Sequence, residues 1–139
     1  LVALFSLDGV PFLYNGQEVA DAARHSIFDR ASIDWANGAS EAGRERFAFC
    51  QKLCALRRDV PELTKGETEW LDSDQPKSVL SVARVSGAGR VLALVNVSDK
   101  AVKVAVKGAG ATKPLLARGA TAGADGAFEL APHGFWVGR

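Results

Sequence analysis

The side chains best suited to chemistry are grouped near the start of the chain, in the stretch that holds Asn15, Gln17, Glu18, Asp21 and His25. Amides and carboxylates of this kind hydrogen-bond polar ligands, and a carboxylate placed against a reacting bond can act as an acid or a base. Glu18 and Asp21 are neighbours in sequence, but their spacing does not place them on two sides of one cleft. We therefore interpret Glu18 and Asp21 as part of the structure of a polar loop.

Histidine and cysteine are too sparse to predict a metal site or a cofactor. His25 has two interpretations, a ligand contact or a structural hydrogen bond within the loop, and His133 in Pro-His-Gly indicates a turn. Cys50 and Cys54 are four residues apart, which puts them on one face of a helix in a geometry that is poor for a disulfide. We expect two reduced core thiols, and the cellular compartment stays open.

Composition limits the partners of this chain of 139 residues. Its 17 basic and 16 acidic residues give a net charge of +1, which predicts neither nucleic acid nor an anionic membrane as a partner. The apolar start, LVALFSL, is far shorter than the roughly 20 residues of a membrane span. The chain has no Met, so we expect it to derive from a longer protein; this disfavours a third possibility, a naturally short interaction protein.

The first half of the chain mixes strand and helix patterns. Val10–Tyr14 is a short apolar run, as expected for a strand buried on both faces. A polar loop over residues 15–38 follows, and such a long loop is often functional. Ser40 is a suitable N-cap for a helix that has Arg58 in its last turn, and Pro61 ends that helix.

The second half of the chain is rich in valine, and its glycines separate short alternating runs. Runs of this kind at regular intervals predict strands of an antiparallel β-sandwich. The predicted strands are Glu67–Leu71, Ser78–Val85, Arg90–Val97, Ala101–Lys107, Lys113–Ala117, Ala127–Leu130 and Gly134–Val137.

The segment Gly9-Val-Pro-Phe-Leu-Tyr-Asn-Gly-Gln-Glu18 resembles the α-amylase family of glycoside hydrolases, which combine a (β/α)8 barrel with a C-terminal β-sandwich. In that family the eighth barrel strand has the form Gly-x-Pro-hydrophobic-hydrophobic-Tyr-x-Gly-x-Glu. Gly9, Pro11, Tyr14, Gly16 and Glu18 match this form position for position. Gly16 would permit a positive φ where the strand turns into its loop.

The order of the later segments extends the resemblance along the chain. Arg30–Trp35 is similar to the stretch before the last barrel helix, and Phe49–Arg58 with Pro61–Leu63 is similar to that helix and its exit. Leu130–Trp136 resembles the last strand of the C-terminal domain. The resemblance implies a mainly β fold, with a barrel remnant over residues 1–62 and an antiparallel, Greek-key-like β-sandwich over residues 63–139.

The resemblance also implies that the chain itself has no catalytic residue. The family's three catalytic carboxylates belong to barrel strands four, five and seven, and all three would precede Leu1. Asn15, Gln17, Glu18 and His25 would line the active-site rim, where Glu18 either orients the following short helix or binds sugar hydroxyls. The implied partners are the remainder of the barrel and an α-glucan oligosaccharide.

A binding role is the alternative to a structural one. Trp35, Trp70 and Trp136 could each stack on a sugar ring, but we expect Trp35 to anchor the loop and Trp136 to enter the core. Trp70 is the remaining candidate for a glucan platform on the sandwich. Apolar side chains such as Phe12, Leu13, Phe47 and Leu53 would lie uncovered without the barrel, which predicts self-association or partial disorder of residues 1–38.

Overall fold

The computed structural model describes residues 1–24, 26, 28, 30–110, 113–124 and 126–139. The contacts divide it into two compact units, one formed by Leu1–Val10 with Leu56–Arg139 and the other by Pro11–Ala55. His25 lies outside the described residues. The domain boundary predicted between residues 62 and 63 stays a prediction.

The described residues form three α-helices, and start and stop signals mark the later two. They are α1 (Val2–Ser6), α2 (Glu41–Asp59) and α3 (Pro61–Lys65). Ser40 caps α2 as predicted, since its Oγ accepts a hydrogen bond of 3.0 Å from the N–H of Gly43. Pro61 both prevents α2 from continuing and starts α3, because proline suits the first turn of a helix.

Six antiparallel strands form one curled sheet, which confirms the mainly β, antiparallel prediction. They are β1 (Glu67–Trp70), β2 (Val79–Ser86), β3 (Gly89–Asn96), β4 (Val102–Ala105), β5 (Pro114–Ala122) and β6 (Ala127–Gly138). Their order is β1-β2-β3-β6-β4, and β5 pairs with β6 off this path. The predicted hairpin is β2–β3, which pairs from Val79–Asn96 to Ser86–Gly89.

The last two predicted strands are a single strand, β6, and this corrects the expected count. The first part of β6 pairs with β4, from Leu130–Val102 to Ala127–Ala105, and its last part pairs with β3. His133 lies between these parts with φ 54°, which is uncommon for a residue with a side chain. The predicted turn at His133 is thus a bend within the strand, and it lets β6 change neighbours.

The core lies on both faces of the β2–β3–β6 part of the sheet. One face packs against β4 and the loop after it; this core cluster contains Val79, Leu92, Leu94, Val104, Val106, Ala109, Phe128, Leu130 and Trp136. Side chains alternate along a strand, so Val82, Val91 and Ala93 point to the opposite face, which α1 and α3 contact. Trp136 is 6% exposed and is a core residue, as predicted.

Asn96, at the end of β3, ties together two segments, the loop that follows β3 and the bend of β6. Its side chain is 1% exposed, and its Nδ2 donates to the carbonyl oxygens of Lys100 at 2.7 Å and Ala131 at 2.9 Å. Its Oδ1 accepts from the N–H of Ser98 at 2.9 Å and from the hydroxyl of Ser98 at 2.7 Å. A buried amide with both ends paired fixes these two segments because every alternative leaves polar groups unsatisfied.

The predicted strand over Val10–Tyr14 is wrong for this structure. These residues pair with no strand among the described residues, and an apolar run needs a neighbouring strand to form a ladder. The expectation of two core thiols is also wrong for one residue, because Cys50 is buried while Cys54 is exposed; both are free.

We expect Arg139→Met to lower the free energy of unfolding by about 2 kcal/mol, because it leaves a buried carboxylate without its partner. Glu62 is 0% exposed, and its Oε2 accepts a 2.7 Å hydrogen bond from Nη2 of Arg139. Urea denaturation measures the loss. The control is the same substitution in a Glu62→Gln chain, where the loss should nearly vanish; an equal loss in both chains would contradict the account.

Candidate functional site: the polar loop and the arginine junction

The predicted polar loop begins with a tight turn in the unit Pro11–Ala55. Gly16 has φ 92°, as predicted, and a Cβ there would lie 3.0 Å from Ile33 and 3.1 Å from Asp21. Glycine is therefore required twice, once for its backbone angle and once for space. A short 3-10 helix, Gln17–Val19, follows.

Glu18 and Gln17 both bind the backbone of this turn. The Glu18 carboxylate accepts a 2.9 Å hydrogen bond from the N–H of Gly16, the residue that caps the short helix. The Gln17 side chain accepts a 3.0 Å hydrogen bond from the N–H of Tyr14. Of the two interpretations of Glu18, the orienting one thus has a structural basis in these contacts.

Asn37 holds the two ends of the loop together. Its Nδ2 donates to the carbonyl oxygens of Val19 at 2.6 Å and Ala20 at 3.1 Å. Ala20 has φ 57°, an uncommon angle that these contacts help to hold. The sequence analysis counted Asn37 only as a polar loop residue, and no local pattern reveals a bond that spans 18 positions.

A pocket of about 330 Å³ lies beside the loop within the same unit. Its lining is Phe12, Leu13, Tyr14, Asn15, Ser26, Ala31 and Ile33. Of the predicted site residues it includes Asn15 but neither Gln17 nor Glu18. The structure thus places these three residues in one turn and only one of them against a cavity, and their binding of substrate stays a prediction.

Trp70 lies in the other compact unit, at the end of β1. It is 68% exposed, as a stacking platform requires. β1 pairs only with β2, so Trp70 lies on an edge strand of the sheet. Its role in binding a glucan stays a prediction.

Large apolar side chains are exposed in the unit Pro11–Ala55. Phe12 is 71% exposed, Phe47 48% and Trp35 56%. Trp35 is therefore too open to act as the expected anchor of the loop. Leu53, which the sequence analysis expected to share the uncovered face, is 1% exposed. The predicted self-association of the chain stays a prediction.

Arg57 is the central donor of the first compact unit. Its Nη1 donates to the carbonyl oxygens of Phe5 at 2.7 Å and Leu7 at 2.9 Å, and its Nη2 donates to that of Gly9. The side chain is 8% exposed. Because the last carbonyls of a helix have no partner within the helix, Arg57 satisfies the end of α1 and fixes the chain that leaves it.

Arg84 anchors the same chain segment from β2. Its side chain is 1% exposed and lies 3.2 Å from the carboxylate of Asp8. The hydroxyl of Thr68 donates to Asp8 at 2.8 Å and accepts from Nη1 of Arg84. Nη2 of Arg84 donates to the carbonyl oxygen of Gly66 at 2.6 Å. We call Arg57, Arg84, Thr68 and Asp8 together the arginine junction.

The charges of the arginine junction shift two pKa values. Burial, and next the nearby guanidinium of Arg84, lower the pKa of Arg57, which remains protonated at neutral pH. The hydrogen bond from Thr68 is the main cause that lowers the pKa of Asp8, and its own backbone N–H and Arg84 act in the same direction.

The lowered pKa of Asp8 predicts acid sensitivity. The unfolded carboxyl titrates near pH ~3.9, so the contribution of ionised Asp8 to stability is complete above that pH and is lost as pH falls through the lower folded pKa. We expect Asp8→Asn to lose less stability than the natural chain between pH 7 and pH 3, measured by thermal unfolding. Asp99→Asn, in an exposed turn, is the control; equal pH dependence of all three chains would rule out a role for Asp8.

The sequence analysis missed the arginine junction, although one signal was present. Arg57 has the sequence pattern of a basic residue in the last turn of a helix, like Arg58. Arg84 stands in a strand whose neighbours Val82 and Ala83 are fully buried. A charged residue inside a buried alternating run is the pattern that marks such a site, because a buried charge needs partners.

Comparisons with known proteins agree with this fold. No protein-family model matches the chain. It is 27% identical over 105 residues to α-amylase 2 of Dictyoglomus thermophilum, a match that covers 69% of the chain and 18% of that relative. The solved debranching enzyme of Nostoc punctiforme matches 99% of the chain with 29% of its own length, at 19% identity and a TM-score of 0.73.

A noncanonic maltogenic α-amylase of Thermotoga neapolitana matches 99% of the chain and 34% of its own length, at 20% identity and a TM-score of 0.70. The fold is thus that of about a third of each of these two larger structures. The chain resembles a C-terminal part of α-amylase-family enzymes. It spans less than a fifth of the matched α-amylase 2, 18% of its length.

No helix in the described part of the chain is long and apolar enough to cross a membrane. No group of three or more histidine, cysteine or acidic side chains in this part of the chain is arranged to hold a metal ion.

Proposed function

We propose that this chain is the C-terminal part of a glycoside hydrolase that acts on α-glucans, and that its own role is structural. The whole protein would use the retaining route, in which two carboxylates on either side of the glycosidic bond act as nucleophile and as acid/base. The proposal rests on the likeness to an α-amylase over 69% of the chain. The chain supplies none of those carboxylates.

The arginine junction is the observation that supports a structural role. It hydrogen-bonds the segment Phe5–Gly9 to a helix end and to a β-strand, through two arginines that are 8% and 1% exposed. A carbohydrate-binding module joined by a linker would not need buried charges at its attachment. Contacts of this kind instead join the sheet β1–β6, which we call the β domain, to the segment Phe5–Gly9 that precedes it in the chain.

The coding sequence upstream of Leu1 tests the enzymatic part of the proposal. It should encode a (β/α)8 barrel with carboxylates at the ends of strands four, five and seven. Substitution of these carboxylates by residues that cannot ionise would refute a catalytic parent and leave only the fold. Replacing each carboxylate by its amide in an active parent should abolish turnover.

A glucan-binding module is the second candidate function, and exposed Trp70 is the observation that favours it. If the β domain binds glucan, Trp70→Ala should weaken binding of maltoheptaose by this chain at least about fivefold, since stacking on an aromatic ring is worth ~1–3 kcal/mol. Isothermal titration calorimetry measures this. The structural proposal predicts no binding by either form, and Trp35→Ala, which is also exposed, is the matched control.

A further inference from the structure

We propose that Asp8, Thr68 and Arg84 are positioning residues for the glucan-cleaving reaction. They would act by fixing the start of the segment that leads into the polar loop, without contacting substrate. This inference rests on the proposed function and assigns to the β domain an effect on turnover.

Hydrogen bonds among the three side chains fix the position of Asp8. Arg84 is buried in β2 and donates to the carbonyl oxygens of Gly66 at 2.6 Å and Glu62 at 3.5 Å, at the end of and within α3. The Thr68 hydroxyl accepts from this guanidinium and donates to Asp8. The position of Asp8 is therefore set by two neighbouring strands, because Thr68 lies in β1 and is the register partner of Arg84.

The segment that leads to the polar loop is fixed at Asp8 and Gly9. Arg57 binds the carbonyl oxygen of Gly9, whereas the next residue, Val10, is 93% exposed. The motif that leads to Asn15 begins at Gly9, and Pro11 restricts the backbone there. Asp8 and Gly9 thus set the direction in which the chain enters the segment that leads to the polar loop.

Asp8 and Thr68 differ from Arg57 in what their loss should do. Arg57 satisfies buried carbonyl groups, so its loss acts on stability. Asp8 has an exposed side chain, 69% of it accessible, and Thr68 has a side chain that valine can replace in shape. Substitutions at these two positions should change the orientation of the segment more than the stability of the core. An effect on kcat can therefore be told apart from an effect on folding.

The test uses the longer natural protein and measures kcat and KM on maltoheptaose well below the melting temperature. Thr68→Val should lower kcat about tenfold with KM changed less than twofold, since small misplacements of reacting groups have effects of this size or larger. Thr68→Ser, which keeps the hydroxyl, should restore kcat. Glu69→Gln is the matched control, because Glu69 is the next residue of β1 and points to the opposite face.

A second readout on this chain separates the two proposals. NMR order parameters of the Asp8 and Gly9 amides should fall from about 0.85 to below about 0.6 in Thr68→Val and stay high in Thr68→Ser and Glu69→Gln. An inactive parent refutes the proposed function alone. Unchanged order parameters, or an active parent with the same kcat in all variants, overturn the positioning role.

Discussion

Asn96→Asp is expected to lower the free energy of unfolding by about 3–5 kcal/mol, the cost of an uncompensated buried charge. The substitution keeps the shape of the side chain but replaces its two N–H donors by an oxygen. That oxygen would face the carbonyl oxygens of Lys100 and Ala131, which now accept at 2.7 and 2.9 Å. The turn before β4 and the bend of β6 would lose their common partner.

Chemical denaturation at pH 7 measures this loss, and the pH dependence identifies its cause. A carboxyl forced into this site should be easier to accommodate when protonated, so the loss should shrink as pH falls. Asn15→Asp is the matched control, because it makes the same change in an exposed side chain and should change stability by less than about 0.5 kcal/mol. Equal losses at the two positions would refute the role assigned to Asn96.

Arg57→Met is expected to lower the free energy of unfolding by about 3 kcal/mol. Methionine retains much of the apolar stem but leaves the carbonyl oxygens of Phe5, Leu7 and Gly9 without their donor. Hydrogen bonds to a charged group contribute ~1.5–3 kcal/mol each, and partial solvation of the freed carbonyls limits the sum. Faster amide exchange in α1 should accompany the loss, because the helix end is no longer held.

Arg58→Met is the matched control for Arg57→Met. Arg58 is the next residue of α2, and its side chain is 74% exposed in an ion pair with Asp59 at 2.7 Å. Exposed ion pairs contribute roughly 0–1 kcal/mol, so this change should be small. A loss at Arg58 as large as the loss at Arg57 would mean that helix charge, and not the arginine junction, stabilises the segment.

The parts of the fold that the sequence predicted are those that local pattern determines. Ser40 and Pro61 mark the ends of α2, and the alternation in Ser78–Val85 and Arg90–Val97 gives the hairpin β2–β3. Gly16 was predicted to take a positive φ and does. In each case the signal lies within a few residues of the structure that it specifies.

The parts that sequence analysis missed depend on residues that are distant along the chain. The bend at His133 depends on β6 pairing with β4 before it and with β3 after it, and no local signal indicates this change of partner. Arg57 binds a carbonyl 52 positions away. The Val10–Tyr14 run shows the opposite error, because a pattern that suits a buried strand forms none without a strand to pair with.

The most direct test of the central claim is release of reducing sugar from maltoheptaose, measured in parallel for this chain and for the longer protein that contains it. The account predicts turnover by the longer protein and none by residues 1–139, because the carboxylates that cleave the bond lie outside this chain. Turnover by residues 1–139 alone would contradict the structural role, and an inactive longer protein with intact barrel carboxylates would contradict the proposed activity.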